Sequence, residues 1–459
     1  MNKMRCAARA LAAAGVMVVC QVALASSSDE ALLARIAELE RQLQALKEEV
    51  ASRARPGPVE TEVVSPQSSP SLADSSADDE RAASVAMNRV EEPRFAYGGF
   101  VQMDALHSDY SDGRPPSLMD DIFVPSLIPV ATGSSSDRHR NSNVHAKTSR
   151  FHFGTATDTA AGVLRSHVEL DFVLSGQGDE RVSNSFSSRI RHAFVEWEYA
   201  PGRSLMAGQN WSTFMNTAAV PDLLDLVGPV GVAFERQPQL RWTRGALQLA
   251  LENPVTRVDA AAGGARVDDS ETLPDVVARY NGRTGGLDWS VAGLLRELNA
   301  EARPDPSIEV GSDSALGAAV SIAGRWELGA DDLRFMLNYG DGLGRYMGLN
   351  AFSDAWVASD YQVRGLEQWG VLLAYRRHWS PDWYSNLSLS LAGADNPDAQ
   401  RLAGAGLLSR RYRSLHANLN YQPAPGLRLG TEVLFARREL ENGLAGDLAR
   451  LQFALRYSF

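Results

Sequence analysis

Arginine supplies most of the positive charge in this chain. Lysine occurs only at positions 3, 47 and 147, so 42 of the 45 basic residues are arginine. A guanidinium grips carboxylate or phosphate through a rigid two-pronged fork, so the placement of these arginines decides what they can do. Arg150 in "TSRFHFG", Arg165 in "VLRSHVELDF" and Arg241 in "QPQLRWTRG" alternate with apolar neighbours, whereas Arg191 in "SRIRHAFVEW" lies on a strand with charge on both parities, so Glu196 or His192 there must face a subunit contact or a bulge. Four cations lining one wall of a narrow channel would favour anions. Asp104, Glu169, Asp171, Glu235 and Glu432 fall on the same parity. The pattern is therefore equally compatible with charges that pair and only keep the wall wet. Asp222 and Asp225 lie in a long apolar interruption, "WSTFMNTAAVPDLLDLVGPVGVAF" (211–234), which is too greasy to wave in water. Folded inward, it would narrow a lumen and carry the two acids into the constriction.

Catalysis finds little support. The chain has eight histidines, no HExxH, GxSxG or P-loop string, and its two cysteines, Cys6 and Cys20, fall in the leader. No cofactor or metal site is expected. The formal charge of −11 becomes −14 once Lys3, Arg5 and Arg9 leave with the leader, which argues against a nucleic-acid partner.

The elements that would position these residues repeat every second residue from Arg94 to the C-terminus. In "RSHVELDFVL", Leu164, Val168, Leu170, Phe172 and Leu174 share one side, and Arg165, His167, Glu169 and Asp171 the other. The terminal "LARLQFALRYSF" alternates in the same way. Strands of about ten residues that are apolar on one face and ionisable on the other separate hydrocarbon from water. Short joins such as "DTAAG", "TRG", "RTGG" and "PAPG" alternate with long polar loops. The count is sixteen strands, seven short turns and eight long loops. Trp197, Trp242, Trp289, Trp326, Trp379, Trp383, Tyr421 and Tyr457 gather at the short-turn ends, as an interfacial girdle requires. The expected fold is an all-β, 16-stranded antiparallel transmembrane β-barrel over 94–459, lying in outer-membrane lipid with its short turns in the periplasm. A β-sandwich would not alternate its connections so regularly.

Three segments precede the barrel. Residues 1–25 read as a signal peptide, with basic Lys3 and Arg5, an apolar run and Ala23-Leu24-Ala25 before Ser26. In 26–54, Leu32, Ile36, Leu39, Leu43, Leu46 and Val50 form a heptad seam, so a periplasmic coiled-coil helix and an oligomer are expected. The heptads alone do not set the number of copies. Residues 55–93, rich in Pro, Ser and acid, read as a linker.

In this order, "YGGFVQMDAL", "FVPSLIPV", "SRFHFG", "LMAGQNWSTFMN", "NYGDGLGRY", "YRRHWSP", "LHANLNYQPAPGLRLGTEVLFARRE" and the terminal "RYSF" resemble the DcaP-like family of trimeric outer-membrane porins. The resemblance implies a homotrimer, a coiled coil tied to trimerisation, and passage of small anions, dicarboxylates in particular. It also implies a terminal Phe read by the barrel-insertion machinery. Of the four arginines it carries over only Arg150 and Arg191, as parts of a basic pore wall. The combined expectation is passive diffusion of small anionic solutes. The competing one is a structural anchor, with the coiled coil reaching the peptidoglycan and the barrel closed.

Overall fold

The computed structural model describes residues 92–459 except 117–119, 134–136, 174–182, 260–264, 269–270, 301–312, 359–361 and 404–405, together with the isolated helical position Arg41. The signal peptide, the coiled coil and almost all of the linker lie outside the described residues. No described helix is long and apolar enough to cross a membrane; the crossing elements are strands.

The strands in chain order are β1 (Arg94–Tyr110), β2 (His139–His145), β3 (Arg150–Thr159), β4 (Gly162–Asp171), β5 (Arg189–Ala200), β6 (Arg203–Trp211), β7 (Arg236–Arg244), β8 (Leu247–Glu252), β9 (Thr256–Asp259), β10 (Ala265–Asp268) and β11 (Asp275–Thr284). They continue with β12 (Leu287–Ala300), β13 (Asp313–Leu328), β14 (Asp331–Asp341), β15 (Ala355–Val357), β16 (Val363–Gly365), β17 (Glu367–His378), β18 (Trp383–Asp395), β19 (Ser409–Ala424), β20 (Leu427–Leu440) and β21 (Ala445–Ser458). All but β9, β10, β15 and β16 belong to one sheet of 17 strands, which closes because β1 pairs with β21. Both β2 and β3 pair with β1, so they are one broken strand and the wall has 17 − 1 = 16 staves. At the break, Ser149 Oγ accepts from Gln102 N at 3.0 Å, which satisfies a wall amide that would otherwise be orphaned in hydrocarbon.

Closure in an antiparallel sheet sends alternate side chains out and in, as the two-residue rhythm requires. Leu164, Val168, Leu389, Phe453 and Leu455 are exposed on the outside, while Ser388 and Ser390 beside Leu389, and Gln452 and Ala454 beside Phe453, are buried. Trp326, Trp379, Trp383 and Tyr457 are exposed near the short turns. Trp383 stacks on Tyr421 with ring centroids 4.4 Å apart. Seven of the outer connections are long, but the eighth is a tight turn between Leu440 and Ala445, where Leu440 N bonds to Leu444 O. The expected count of eight long loops is corrected to seven: "ENGLA" reads as polar loop, yet Asn442-Gly443 closes a hairpin there.

The interior is not simply wet. Loop residues Phe123, Phe214, Val230, Val232, Phe234, Tyr346 and Met347 are buried together against inward-facing Ala250, Ala292, Ala319, Ala374, Ala392 and Met336. Small residues on the inner wall from β8 to β20 leave room for this packed layer. Apart from the wall sheet, the loops after β8 and β14 join in a four-stranded sheet of β9, β10, β15 and β16, whose Val258, Ala355 and Val363 pack on Leu298 of β12. Arg296 staples this region. It is fully buried, 2.9 Å from Asp354 and 3.5 Å from Asp275.

Candidate pore lining

With one side of the interior packed, the polar inner face of β3–β7 is the remaining place for a solute. A cavity of about 700 Å³ opens there, lined by Arg165, His167, Glu169, His192, Glu196 and Trp211 among others. His152, His167 and His192 run across β3, β4 and β5, with ring centroids 5.6 and 6.1 Å apart. Among the described residues, no group of three or more His, Cys, Asp or Glu is placed to hold a metal ion.

Arg150 and Arg191 converge on one carboxylate. Arg191 donates from Nε to Glu169 at 2.6 Å and from an Nη to Asp171 at 2.8 Å. Arg150 Nε lies 3.4 Å from Glu169 without a hydrogen bond. Arg189 also donates to Asp171, at 2.6 Å. The parity problem of β5, with charge on both faces, is resolved by a bulge. Glu169 pairs with His192 but Leu170 with Ile190, so Arg191 is the extra residue and shares the inner side with His192. A strict period of two cannot register such an insertion.

Arg236, which the alternation did not single out, completes the cluster. It lies 4.7 Å over the Trp211 ring, which Arg191 approaches at 6.0 Å. It forms no ion pair among the described residues, and one Nη is buried without a partner. Arg150, Arg189, Arg191 and Arg236 thus stand against Glu169 and Asp171, a local excess of two positive charges. The signal in the sequence was faint, because Arg236 opens its strand directly after the apolar segment.

The other two sequence-selected arginines lie apart. Arg165 pairs with Glu198 at 2.7 Å and is 42% exposed. Arg241 donates to Thr213 Oγ1 at 2.8 Å, to Gln239 Oε1 at 3.1 Å and to the carbonyl of Trp211 at 2.5 Å. Those acceptors place it at the root of the apolar segment.

That segment is held on all sides by inward-facing groups. Arg279 donates to Met215 O at 2.5 Å, and Arg334 to Val220 O. Asn386 and Asn418 donate to Asp222 O at 2.8 and 3.0 Å. Glu432 accepts from Leu224 N at 2.8 Å and Asp225 N at 3.3 Å. Ser414 and Ser390 accept from Val230 N and Gly231 N. At Gly231 a Cβ would stand 2.4 Å from Leu391 O, so only glycine allows this approach to the wall.

The two acids do not act as bare charges. Asp222 bonds to Arg428 at 2.9 Å and to Tyr384 at 2.9 Å, with Arg376 at 3.5 Å. Burial opposes its ionisation, but Arg428 and Arg376 outweigh burial and hold the carboxyl below the ordinary aspartate range. Asp225 turns back into its own loop and accepts from Val227 N and Gly228 N at 3.1 and 2.8 Å. Burial pushes its carboxyl upward. The expectation of two acids projecting into a constriction is therefore corrected. One is neutralised by arginines, and the other closes a turn.

Comparison with known proteins fits this geometry. The family model described as DcaP outer membrane protein matches residues 91–459. Among solved structures, the outer membrane channel DcaP of Acinetobacter baumannii aligns with a TM-score of 0.62 at 18% identity, over 80% of this chain and 97% of that one. OmpT of Vibrio cholerae in its trimer form aligns at 0.47 and 9% identity, over 80% and 100%. OmpF of Salmonella typhi aligns at 0.46 and 11% identity, over 80% and 97%. A search of curated proteins finds no match.

Proposed function

Because this chain belongs to the DcaP outer membrane protein family, an outer-membrane barrel with a porin fold, we propose that it is a passive pore for small hydrophilic anions of dicarboxylate type. The observation that carries this reading is the cationic excess of Arg150, Arg189, Arg191 and Arg236 beside a cavity. There the Arg150 Nε and an Arg236 Nη are buried without acceptors. The accessible part of the Arg150 side chain, about a quarter of it, is what a passing carboxylate meets. The carboxylates Glu169 and Asp171 keep the site weak enough to release it. Residues 211–234 narrow the passage. Arg241 contributes chiefly as an anchor of that segment, and Arg165 as a charge compensated by Glu198. The A. baumannii neighbour is described as a channel, which agrees with this reading. The heptads of 26–54 would join three copies on the periplasmic side. Liposome swelling with succinate-like dicarboxylates, monocarboxylates and neutral sugars tests the proposal. Faster entry of dicarboxylates than of sugars of equal size is expected, and equal rates would reject anion preference.

A second reading rests on the dry cluster inside the barrel. A lumen closed by that packing would make the protein an anchor, tied to peptidoglycan through its helix. Single-channel recording separates the two, since an anchor gives no steady conductance.

A further inference from the structure

Away from the lumen, the outer wall carries a groove of about 860 Å³ on β17–β21 and β1. Its floor is apolar, with Val371, Leu373, Leu389, Leu391, Leu415 and Phe435 facing outward. Its upper rim is different in kind. Arg413 and Arg437 are directly opposite in register, and Arg437 is opposite Asp447. Arg413 and Arg437 are 54% and 47% exposed, and Arg138 and Arg140 on the neighbouring edge 62% and 58%. Arg411 is exposed and makes no ion pair among the described residues. The carboxylates among them are Asp109, shared by Arg138 and Arg140, Glu439 at 3.4 Å from Arg413, and Asp447 at 2.9 Å from Arg437. Five arginines therefore face three acids, with their outer surfaces free.

Height identifies what meets this rim. On β19, Tyr421 belongs to the periplasmic girdle and Arg413 lies eight residues further along. At about 3.4 Å per residue and a tilt near 40°, that is roughly 20 Å, close to the ~25 Å apolar band of such barrels. The arginines thus sit where outer-leaflet headgroups begin. In an outer membrane that leaflet holds a glycolipid with several acyl chains and two separated phosphates. We propose that this groove is a seat for the lipid A part of lipopolysaccharide, with acyl chains on the Leu389–Leu415–Phe435 floor and phosphates on Arg411, Arg413, Arg437 and Arg138. The arc is bounded. Two residues past Gly393, the partner of Arg411, β18 presents Asp395, in continuous register with Glu367 on β17 and Asp341 on β14, a row that repels phosphate. The proposal depends on the short turns facing the periplasm and is independent of what the pore carries.

The test uses full-length protein, stripped of lipid in detergent, titrated with lipid A and followed by native mass spectrometry. Wild type should bind lipid A at least about tenfold more tightly than dephosphorylated lipid A, which lacks both phosphates, or phosphatidylglycerol, whose single phosphate cannot span two separated arginine contacts. The triple variant Arg411→Gln/Arg413→Gln/Arg437→Gln should lose a similar factor while keeping its heat-modifiable gel mobility and its conductance. Equal binding of dephosphorylated lipid A, or of phosphatidylglycerol, by wild type would overturn the proposal without any variant. So would undiminished lipid A binding by a folded triple variant. If that variant changed oligomeric state while still binding lipid A, the rim would be a subunit contact instead.

Discussion

Neutralising Arg150 and Arg236 together isolates the charge argument better than any other pair. Arg236 forms no ion pair among the described residues, so its loss breaks none of them. Removing Arg150 leaves Glu169 hydrogen bonded to Arg191 at 2.6 Å. The double change Arg150→Gln/Arg236→Gln takes the local excess from two positive charges to none. For an ion passing about 7 Å from each guanidinium in water, one charge is worth about 332/(80 × 7), or ~0.6 kcal/mol, unscreened. At 0.15 M salt the ~8 Å Debye length cuts this to about 0.25 kcal/mol, and near 0.01 M, with a ~30 Å length, to about 0.5 kcal/mol. Two charges act on anion and cation in opposite senses, so the permeability ratio changes by about 1 kcal/mol at the higher salt and about 2 at the lower. Anion-over-cation selectivity should therefore fall about fivefold at 0.15 M and about twenty- to thirtyfold near 0.01 M. Reversal potentials in planar bilayers, measured across salt gradients centred on each concentration, read this directly. An unchanged ratio at both salts, or a change that does not grow as salt is lowered, would refute the electrostatic reasoning.

The remaining predictions concern the segment at 211–234. Glu432→Ala removes the acceptor for Leu224 N and Asp225 N; with hydrogen bonds to a charged acceptor worth about 1.5–3 kcal/mol each, the loop tip should loosen and single-channel traces should flicker. Quiet traces of wild-type amplitude would show that the latch lies elsewhere. Gly231→Val forces side-chain atoms into the Val371 and Leu391 backbone, so it should shift the segment and change the mean conductance, where Gly293→Ala, on β12 with open space around it and no left-handed backbone to strain, should leave conductance unchanged. The pH dependence has a definite sign. Because Arg428 and Arg376 hold the Asp222 carboxyl low, its contribution to the latch persists through the ordinary aspartate range near pH 4 and is lost only as pH falls through the lowered value. Conductance should be steady from pH 7 down to about 4 on this account, and a transition near pH 6 would assign control to another group.

Alternation made the barrel legible because each strand faces two solvents, and a residue's parity is then a statement about its surroundings. Leu164, Leu389 and Phe453 could be placed outside, and Arg150 and Arg165 inside, for that reason alone. Parity fails where the chain leaves strict pairing. Arg191 sits on a bulge that shifts it relative to Ile190, and the strand break at 146–149 is sealed by a serine side chain. The packed interior was legible only in part: the apolar run 211–234 was expected to turn inward, but the other loops and the wall positions that meet it were not. Phe123 and Tyr346 belong to connections with no period, and their partners on the wall are alanines, which carry no hydrophobic signal of their own. The arginine cluster around Glu169 was half legible. Two members stood out by alternation, but Arg189 and Arg236 sit at strand starts, where one residue of context cannot tell loop from wall.

The seam of the barrel has a consequence for biogenesis. Gly99 and Phe459 exchange two backbone hydrogen bonds of 3.1 Å, and β1 lies against β21 along eleven registered pairs. The two edges that must meet are thus β1 and β21, the strands furthest apart along the described chain. Until β21 has been delivered, the growing sheet has two raw borders and no way to shield them from acyl chains. Loss of even a few C-terminal residues would act on assembly as a whole, out of proportion to the handful of contacts removed.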